Sequence, residues 1–458
     1  MVLGFGSIGK GVLPLIFRHI EIHPQQISII AADECGKDIL EKFGVSFHLH
    51  VITRENYKAL LESFLHEGDF LLNLSINVGS IELIEFCAER GLLYLDTCVE
   101  AWEGFYTDAS LESSLRSNYA LREGALRLGK KYKNGPTAVI THGANPGLVS
   151  HFVKQALMNM ARDSGMTEEV PTSRHDWALL SQKLGIRTIH IAERDTQVAV
   201  PRKLPGEFVN TWSVNGLIGE GCQPAEIGWG SHEKFFPDDG ARHGFGCQSA
   251  IFLNRPGAAT RVRSWLPLAG PQIGYLITHN ESISLADYLT IGSGESPEYR
   301  PTVHYAYHPS DDTMLSLHEL QACNWQTQEK LRLVSEEIVS GIDELGVLLM
   351  GHKDGVYWYG SQLSIEESRE LAPHNSATSL QVAAGVLAGM IWAIRHPNRG
   401  IVEPEDMDFD EVLAVACLYL GEMAGVYSDW NPLLNRTGIF PEDIDEEDVW
   451  QFKNFRVL

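Results

Sequence analysis

The strongest constraint in this chain is the rhythm of its first 145 residues, where short, almost unbroken apolar runs alternate with helical patterns. ISIIAA at 27–32, DFLLNLS at 69–75, LLYLD at 92–96 and TAVIT at 137–141 are short and apolar on both faces, as strands are when helices cover a sheet from both sides. Strands are expected at 2–4, 27–31, 47–51, 69–75, 92–96 and 137–141, and helices at 8–20, 37–43, 57–66, 81–90 and about 115–132. That order is the signature of a doubly wound parallel α/β sheet. Two details strain it. Only three residues precede Gly4, too few for a comfortable interior strand, so residues are expected upstream of Met1, and Pro14 is expected to kink the first helix.

At the first strand–helix junction stands Gly4-Phe-Gly6-Ser7-Ile8-Gly9. There the glycines permit a tight turn, approach of the backbone to a pyrophosphate and close helix packing, and the helix N-terminus offers amide donors. The spacing alone is weak, since any Gly-rich turn can produce it. The next strand, however, delivers Asp33 and Glu34, either of which can bond an adenosine ribose and repel a 2′-phosphate. With Asp33 taken for that role, the segment predicts a Rossmann-type sheet that binds NAD rather than NADP.

From residue 146 the rhythm changes. Helices at 147–160 and 173–184 lead into strand-like segments at 188–191, 208–214, 250–253 and 262–267 with many Gly and Pro turns, an α+β pattern with an antiparallel sheet. A small-residue helix follows at 376–394, apolar nearly all round and therefore buried, and then an acidic tail. The expected organisation is a nucleotide-binding domain at 1–145, an α+β substrate and dimerisation domain at 146–375, and a segment at 376–458 packing back on the first.

Charge and composition narrow the partners. Lys and Arg number 36 against 60 Asp and Glu, a net charge of −24, which argues against nucleic acid. The 7 cysteines never form CxxC, as in a reducing compartment without a disulfide or zinc framework. The apolar run 382–394 is too short to span a bilayer and no signal pattern opens the chain, so a cytoplasmic protein without a membrane partner is expected.

Two sets of polar residues can carry chemistry. Asn73, Ser75, Asn77, Asp96, Thr97, Glu100 and Asn145 follow expected strands at the carboxyl edge of the sheet, where ligands of such sheets bind, so they are expected to ring a nicotinamide, with Asn73, Ser75, Asp96, Thr97 and Asn145 binding the cofactor. Turn and cap roles are the plainer alternative for Asp96, Glu100 and the Asn145-Pro146 step. Glu193, Trp212, Glu220, His279, Glu281 and Asp343 lie in the second region. Each alone reads as core or solvated surface, but carboxylates interleaved with a tryptophan suit an organic cation. His304-Tyr-Ala-Tyr-His308 lacks a third ligand and reads as a strand with packed aromatics, so no metal is expected.

These segments resemble the bacterial homospermidine synthases, NAD-dependent relatives of saccharopine dehydrogenase. GFGSIGKG, RSNYALRE, GANPGLVSHFVKQAL, IHIAERDTQ, FVNTWSV, QPAEIGWG, THNESIS, GIDELGVLL and YWYGSQLS carry the resemblance, which runs over nearly the whole chain. It implies conversion of two putrescines into homospermidine and ammonia, with spermidine as a further substrate, NAD as a bound group reduced and reoxidised within one cycle, and a homodimer. Carried onto this sequence it assigns catalysis to Trp212, His279, Glu281 and Asn145, and substrate binding to Glu100, Glu193, Glu220 and Asp343. Asn77 stands where the family can have an acid. An amide there still bonds an amine but does not neutralise an ammonium. The competing enzyme reading is an amino-acid dehydrogenase of the saccharopine type, whose substrate carboxylates call for Arg or Lys clamps. A non-catalytic NAD-binding protein is the third reading.

Elementary chemistry adds one requirement. Hydride leaves only a neutral amine, and deprotonating an ammonium of pKa near 10.4 costs about 4.6 kcal/mol at pH 7. A base is therefore needed, for which His279 with Glu281 is the sequence candidate. The remaining acids are expected to hold the far ammonium, and Trp212 the cation next to the nicotinamide.

Overall fold

The computed structural model describes every residue except 109, 167, 168, 437 and 458. Its first sheet has seven strands, all parallel, in the order Ile401–Val402, Ala138–Val139, Leu93–Asp96, Phe70–Asn73, Val2–Leu3, Ser28–Ala31 and Ser46–Leu49. Chain order reverses at Val2–Leu3, which opens a crevice at the carboxyl ends of its neighbours. The short first strand thus does sit inside the sheet. Flanking backbone bonds lengthen its ladder: Leu72 N–H donates to Met1 O at 2.9 Å, Leu74 N–H to Leu3 O at 2.8 Å and Gly4 N–H to Ile30 O at 2.8 Å. The helix Ser7–His19 continues through Pro14, which is buried within it.

The second sheet is mixed rather than antiparallel. Its main path runs Gly240–Arg242, Ala250–Pro256, Pro224–Gly228, Thr302–His308, Thr188–Asp195, Ile342–Met350, Val356–Ser364 and Glu422–Ser428. Thr302–His308 lies parallel to Thr188–Asp195, with Tyr307 opposite Glu193 and Tyr305 opposite Ile191. Across the next, antiparallel pairing Asp343 faces Asp195. Because side chains alternate along strands and paired residues share a face, Glu193, Asp195, Tyr305, Tyr307 and Asp343 all project to one side. The sequence reading missed the two longest strands here, Ile342–Met350 and Val356–Ser364.

Residues 376–458, expected to pack on the first domain, divide between the sheets. The helix Ala377–Arg395 lies against Ser7–His19, and Ile401–Val402 extends the parallel sheet, whereas Glu422–Ser428 edges the mixed sheet and Arg456–Val457 pairs with Arg261–Leu266. The helix has 19 residues, so by length and composition it reaches the span of a bilayer, contrary to the shorter apolar run read from the sequence. It is instead 83% buried over its most apolar window. Its small residues explain how it fits: a Cβ on Gly385 falls 2.1 Å from the Gly143 carbonyl oxygen, and one on Gly389 falls 2.7 Å from Leu95 and 2.9 Å from the His142 ring. The helix backbone therefore rests directly on the loop that carries Asn145. Gly385→Ala is expected to destabilise the fold by about 1–3 kcal/mol through this overlap, read as a lower denaturation midpoint. An unchanged midpoint would show that the contact yields freely.

Candidate functional site

A cleft of about 670 Å³ joins the carboxyl edge of the parallel sheet to the end of the mixed sheet. Gly4, Gly6, Ser7, Ile8 and Gly9 line its outer part. Gly4 has φ +83° and its absent Cβ would lie 2.7 Å from Leu74 O, so only glycine fits. A Cβ on Gly6 would meet nothing within 4 Å, leaving open space against the backbone. Among the described residues no side chain caps the helix Ser7–His19 at Gly6, which leaves its first amides open to an anion. Asp33 lines the cleft beyond this turn, while Glu34 is drawn away to Lys37 at 2.7 Å, which separates the two acids the sequence left open. Asp33 Oδ1 accepts from Cys35 N–H at 2.8 Å.

Asn73, Ser75 and Thr97 also line the cleft, and Asn73 Oδ1 accepts from both the backbone and the hydroxyl of Ser75. Asp96 does not. It lies fully buried beneath them, accepting from Thr141 N–H at 2.7 Å and the Tyr94 hydroxyl at 2.8 Å, so it braces the floor instead of contacting a cofactor. Burial pushes its carboxyl up to about 7 despite those donors.

At the inner end the second sheet delivers its aligned face. Asn145 Nδ2 donates to Glu193 Oε2 at 2.8 Å and to the Tyr305 hydroxyl at 2.7 Å, and the Tyr305 hydroxyl donates to the same Glu193 oxygen. Trp212 Nε1 donates to the Tyr307 hydroxyl at 3.1 Å, and the Tyr305 and Tyr307 rings stack at 5.2 Å. His279 stands between two acids, with Nδ1 3.2 Å from Glu281 and Nε2 3.1 Å from Glu220, and its ring is 4.4 Å from that of Tyr305. Asn77, Glu100, Asn145, Glu193, Trp212, Glu220 and His279 all line the cleft. Glu281 and Asp343 stand behind the wall. Glu281 bonds His279, and Asp343 accepts from Thr378, which itself lines the cleft.

The lining is rich in acids. Among the described residues it holds five carboxylates, Asp33, Glu100, Glu103, Glu193 and Glu220, and neither lysine nor arginine. Comparison with known proteins agrees. A saccharopine dehydrogenase NADP-binding domain matches residues 1–139 and a saccharopine dehydrogenase C-terminal domain matches 143–426. Homospermidine synthase of Blastochloris viridis is 52% identical over all of this chain and 97% of its own, and that of Mesorhizobium japonicum is 49% identical over all of this chain and 96% of its own. The crystal structure of homospermidine synthase from Legionella pneumophila in complex with NAD superposes with a TM-score of 0.93 at 51% identity, covering all of this chain and 97% of that one. This chain belongs to the homospermidine synthase family.

Within this family member the sequence reading missed Tyr305, Tyr307 and Thr378. The alternation in HYAYH was the available signal for the two tyrosines, but only the parallel register beside Glu193 turns packed aromatics into site residues. Nothing in the sequence pairs Thr378 with Asp343, 35 residues away.

The electrostatics revise the base. Burial alone would lower the His279 pKa, but Glu281 and Glu220 outweigh it and raise it to about 10, so the ring is an imidazolium at neutral pH. Burial raises Glu193 to about 7, with Tyr305 and Asn145 restraining the rise, and raises Glu100 to about 8 with Glu220 and Asp96 adding to it. These two carboxyls, not His279, titrate near neutrality. Because the folded pKa of His279 is raised, the stability that its ion pairs contribute is fully present below pH 6.5 and is lost as pH rises through about 10. Nitrogen NMR of the ligand-free protein is expected to show His279 as imidazolium at pH 8. A titration centred near 6.5 would contradict the triad's geometry.

Proposed function

We propose that this chain is a homospermidine synthase that carries out an aminobutyl transfer on bound NAD, taking two putrescines to homospermidine and ammonia. The observation that carries this reading is a single cleft joining a glycine turn with free helix amides to an inner end of carboxylates and tryptophan. A saccharopine-type substrate would bring carboxylates against those acids, with neither lysine nor arginine among the described lining residues to receive them and with the His279 imidazolium already held by Glu220 and Glu281. Residues 1–145 form the nucleotide-holding part in this reading and 146–375 the substrate part, and the family resemblance supports a cytoplasmic homodimer with spermidine as a further substrate.

The Gly4–Gly9 turn and the helix amides would hold the pyrophosphate, and Asp33 the adenosine ribose, where a 2′-phosphate would be repelled. When bound, NAD supplies a hydride acceptor and, later in the same turnover, a hydride donor. Glu193 takes the proton from the amine to be oxidised. It is the cleft carboxyl poised nearest neutrality, and Asn145 and Tyr305 fix its orientation. His279 remains charged and, held by Glu220 and Glu281, opposes a second positive charge beside it, which favours the neutral amine. Trp212, oriented by Tyr307, offers its face to the cationic imine. Glu100 and Glu220 receive the far ammonium.

Incubation with putrescine and substoichiometric NAD is expected to yield homospermidine by mass spectrometry, without accumulating NADH. Trp212→Phe should lower kcat about 10-fold and Trp212→Glu should lower it further, as loss of about 1.4 kcal/mol or more implies. Net NADH production without homospermidine would refute the transfer, and full activity in both variants would refute the tryptophan's role.

A further inference from the structure

We infer that His142 and His151 are positioning residues for the transfer, a tautomer-locked pair that sets where Asn145 presents its amide to Glu193; this rests on the synthase reading above. Asn145 lies in a tight turn between the strand Ala138–Val139 and the helix Leu148–Asp163. Gly143 N–H donates to Pro146 O at 2.7 Å and Leu148 N–H to Gly143 O at 3.0 Å, which closes the turn. His142 stands at its entrance and His151 on the first turn of the helix, both fully buried. Their Nε2 atoms meet at 3.0 Å, so the pair bridges the two ends of the turn that carries Asn145.

The turn needs such a bridge. Thr141, just before it, is held at φ +55°, a left-handed conformation that is costly for a β-branched residue. Strain of this kind persists only where neighbours impose it. Asp96 imposes part of it, accepting from Thr141 N–H at 2.7 Å through Oδ1 and from His142 N–H at 2.8 Å through its carbonyl. Gly389 leaves room for the His142 ring, since a Cβ there would fall 2.9 Å from Nδ1. Asp96 and Gly389 act on the entrance of the turn, and the imidazole pair links that entrance to the helix beyond.

The geometry permits one arrangement of protons. The Gly385 carbonyl, 2.9 Å from His142 Nδ1, can only accept, so His142 carries its proton on Nδ1. The Nε2 of that neutral ring is then an acceptor, and His151 donates to it from its own Nε2. This leaves His151 Nδ1 bare, and among the described residues that buried atom has no hydrogen-bond partner. Burial lowers His142 to about 4 and holds His151 well below its usual range, where His142 and Lys154 also oppose a charge. Both rings are therefore neutral where Glu193 titrates, and the link stays intact as that base gains and loses its proton.

Burial and then Asp195 raise Glu193, while Tyr305, Asn145 and His279 hold it down, so a displaced Asn145 moves its titration upward. The test is kinetics of the whole enzyme with NAD and putrescine, with nitrogen NMR of its histidines. His151→Gln can place an amide N–H where the imidazole Nε2 lies, whereas the shorter His151→Asn reaches only to Nδ1. His151→Asn should lower kcat about 10-fold, move the KM for putrescine less than about twofold, and shift the acidic limb of kcat upward by about half a pH unit. His151→Gln should restore both kcat and the limb. In the wild type, His142 should be protonated on Nδ1 and His151 on Nε2, both neutral at pH 7. Opposite tautomers, or a charged ring at pH 7, would overturn the proposal whether or not a variant folds. So would an unshifted limb in a folded His151→Asn that makes homospermidine, even with a lowered denaturation midpoint, since the pair would then be structural alone. A His151→Gln that behaves as His151→Asn does the same. A wild type that makes no homospermidine removes the synthase reading itself, and the proposal with it.

Discussion

One buried carboxylate organises this molecule. Glu193, 2% exposed, receives Asn145 from the loop beyond the parallel sheet and Tyr305 from the mixed sheet, so a single acid ties the two halves at the head of the cleft. Burying a carboxylate is tolerable only when donors satisfy it, and these two donors come from different layers of the fold. Displacing either half would strand the charge. The cleft's inner wall, the stacked tyrosines and the position of Trp212 all follow from this junction.

The helix Ala377–Arg395 secures the same junction from behind. Its glycines let it lie on the Gly143 backbone, and the Gly385 carbonyl meets His142 Nδ1 at 2.9 Å. Asn145 is thereby held by packing on one side and by hydrogen bonds on the other. A cleft built this way has fixed walls, which suits a reaction whose imine must be passed between amines without meeting water.

The parallel sheet was legible because strands covered on both faces and helices between them leave a local, repeated pattern, and the expected helix at 37–43 appears unchanged as Lys37–Phe43. The glycine turn was legible for the same reason. The mixed sheet was not, because its decisive feature is a parallel pairing between residues more than 100 positions apart, Thr188 with Thr302, which no local pattern records. Site residues followed the same division. Those at strand ends fell in the cleft by topology, except Asp96, which turned inward to brace Thr141. Glu281 and Asp343 carry the expected chemistry but stand behind the lining, bonded to His279 and Thr378, a distinction that only side-chain geometry makes. The net charge of −24 likewise said little until five acids stood around one cleft with no lysine or arginine among its described residues.

The central claim is that a hydride taken from an amine in one cleft is returned there to the same carbon. Putrescine deuterated on both terminal carbons, turned over in the presence of excess unlabelled NADH, tests it directly. The account predicts homospermidine that retains all of its deuterium. Loss of one deuterium per homospermidine to the dissolved NADH pool would show that the hydride escapes the cleft, and would contradict it.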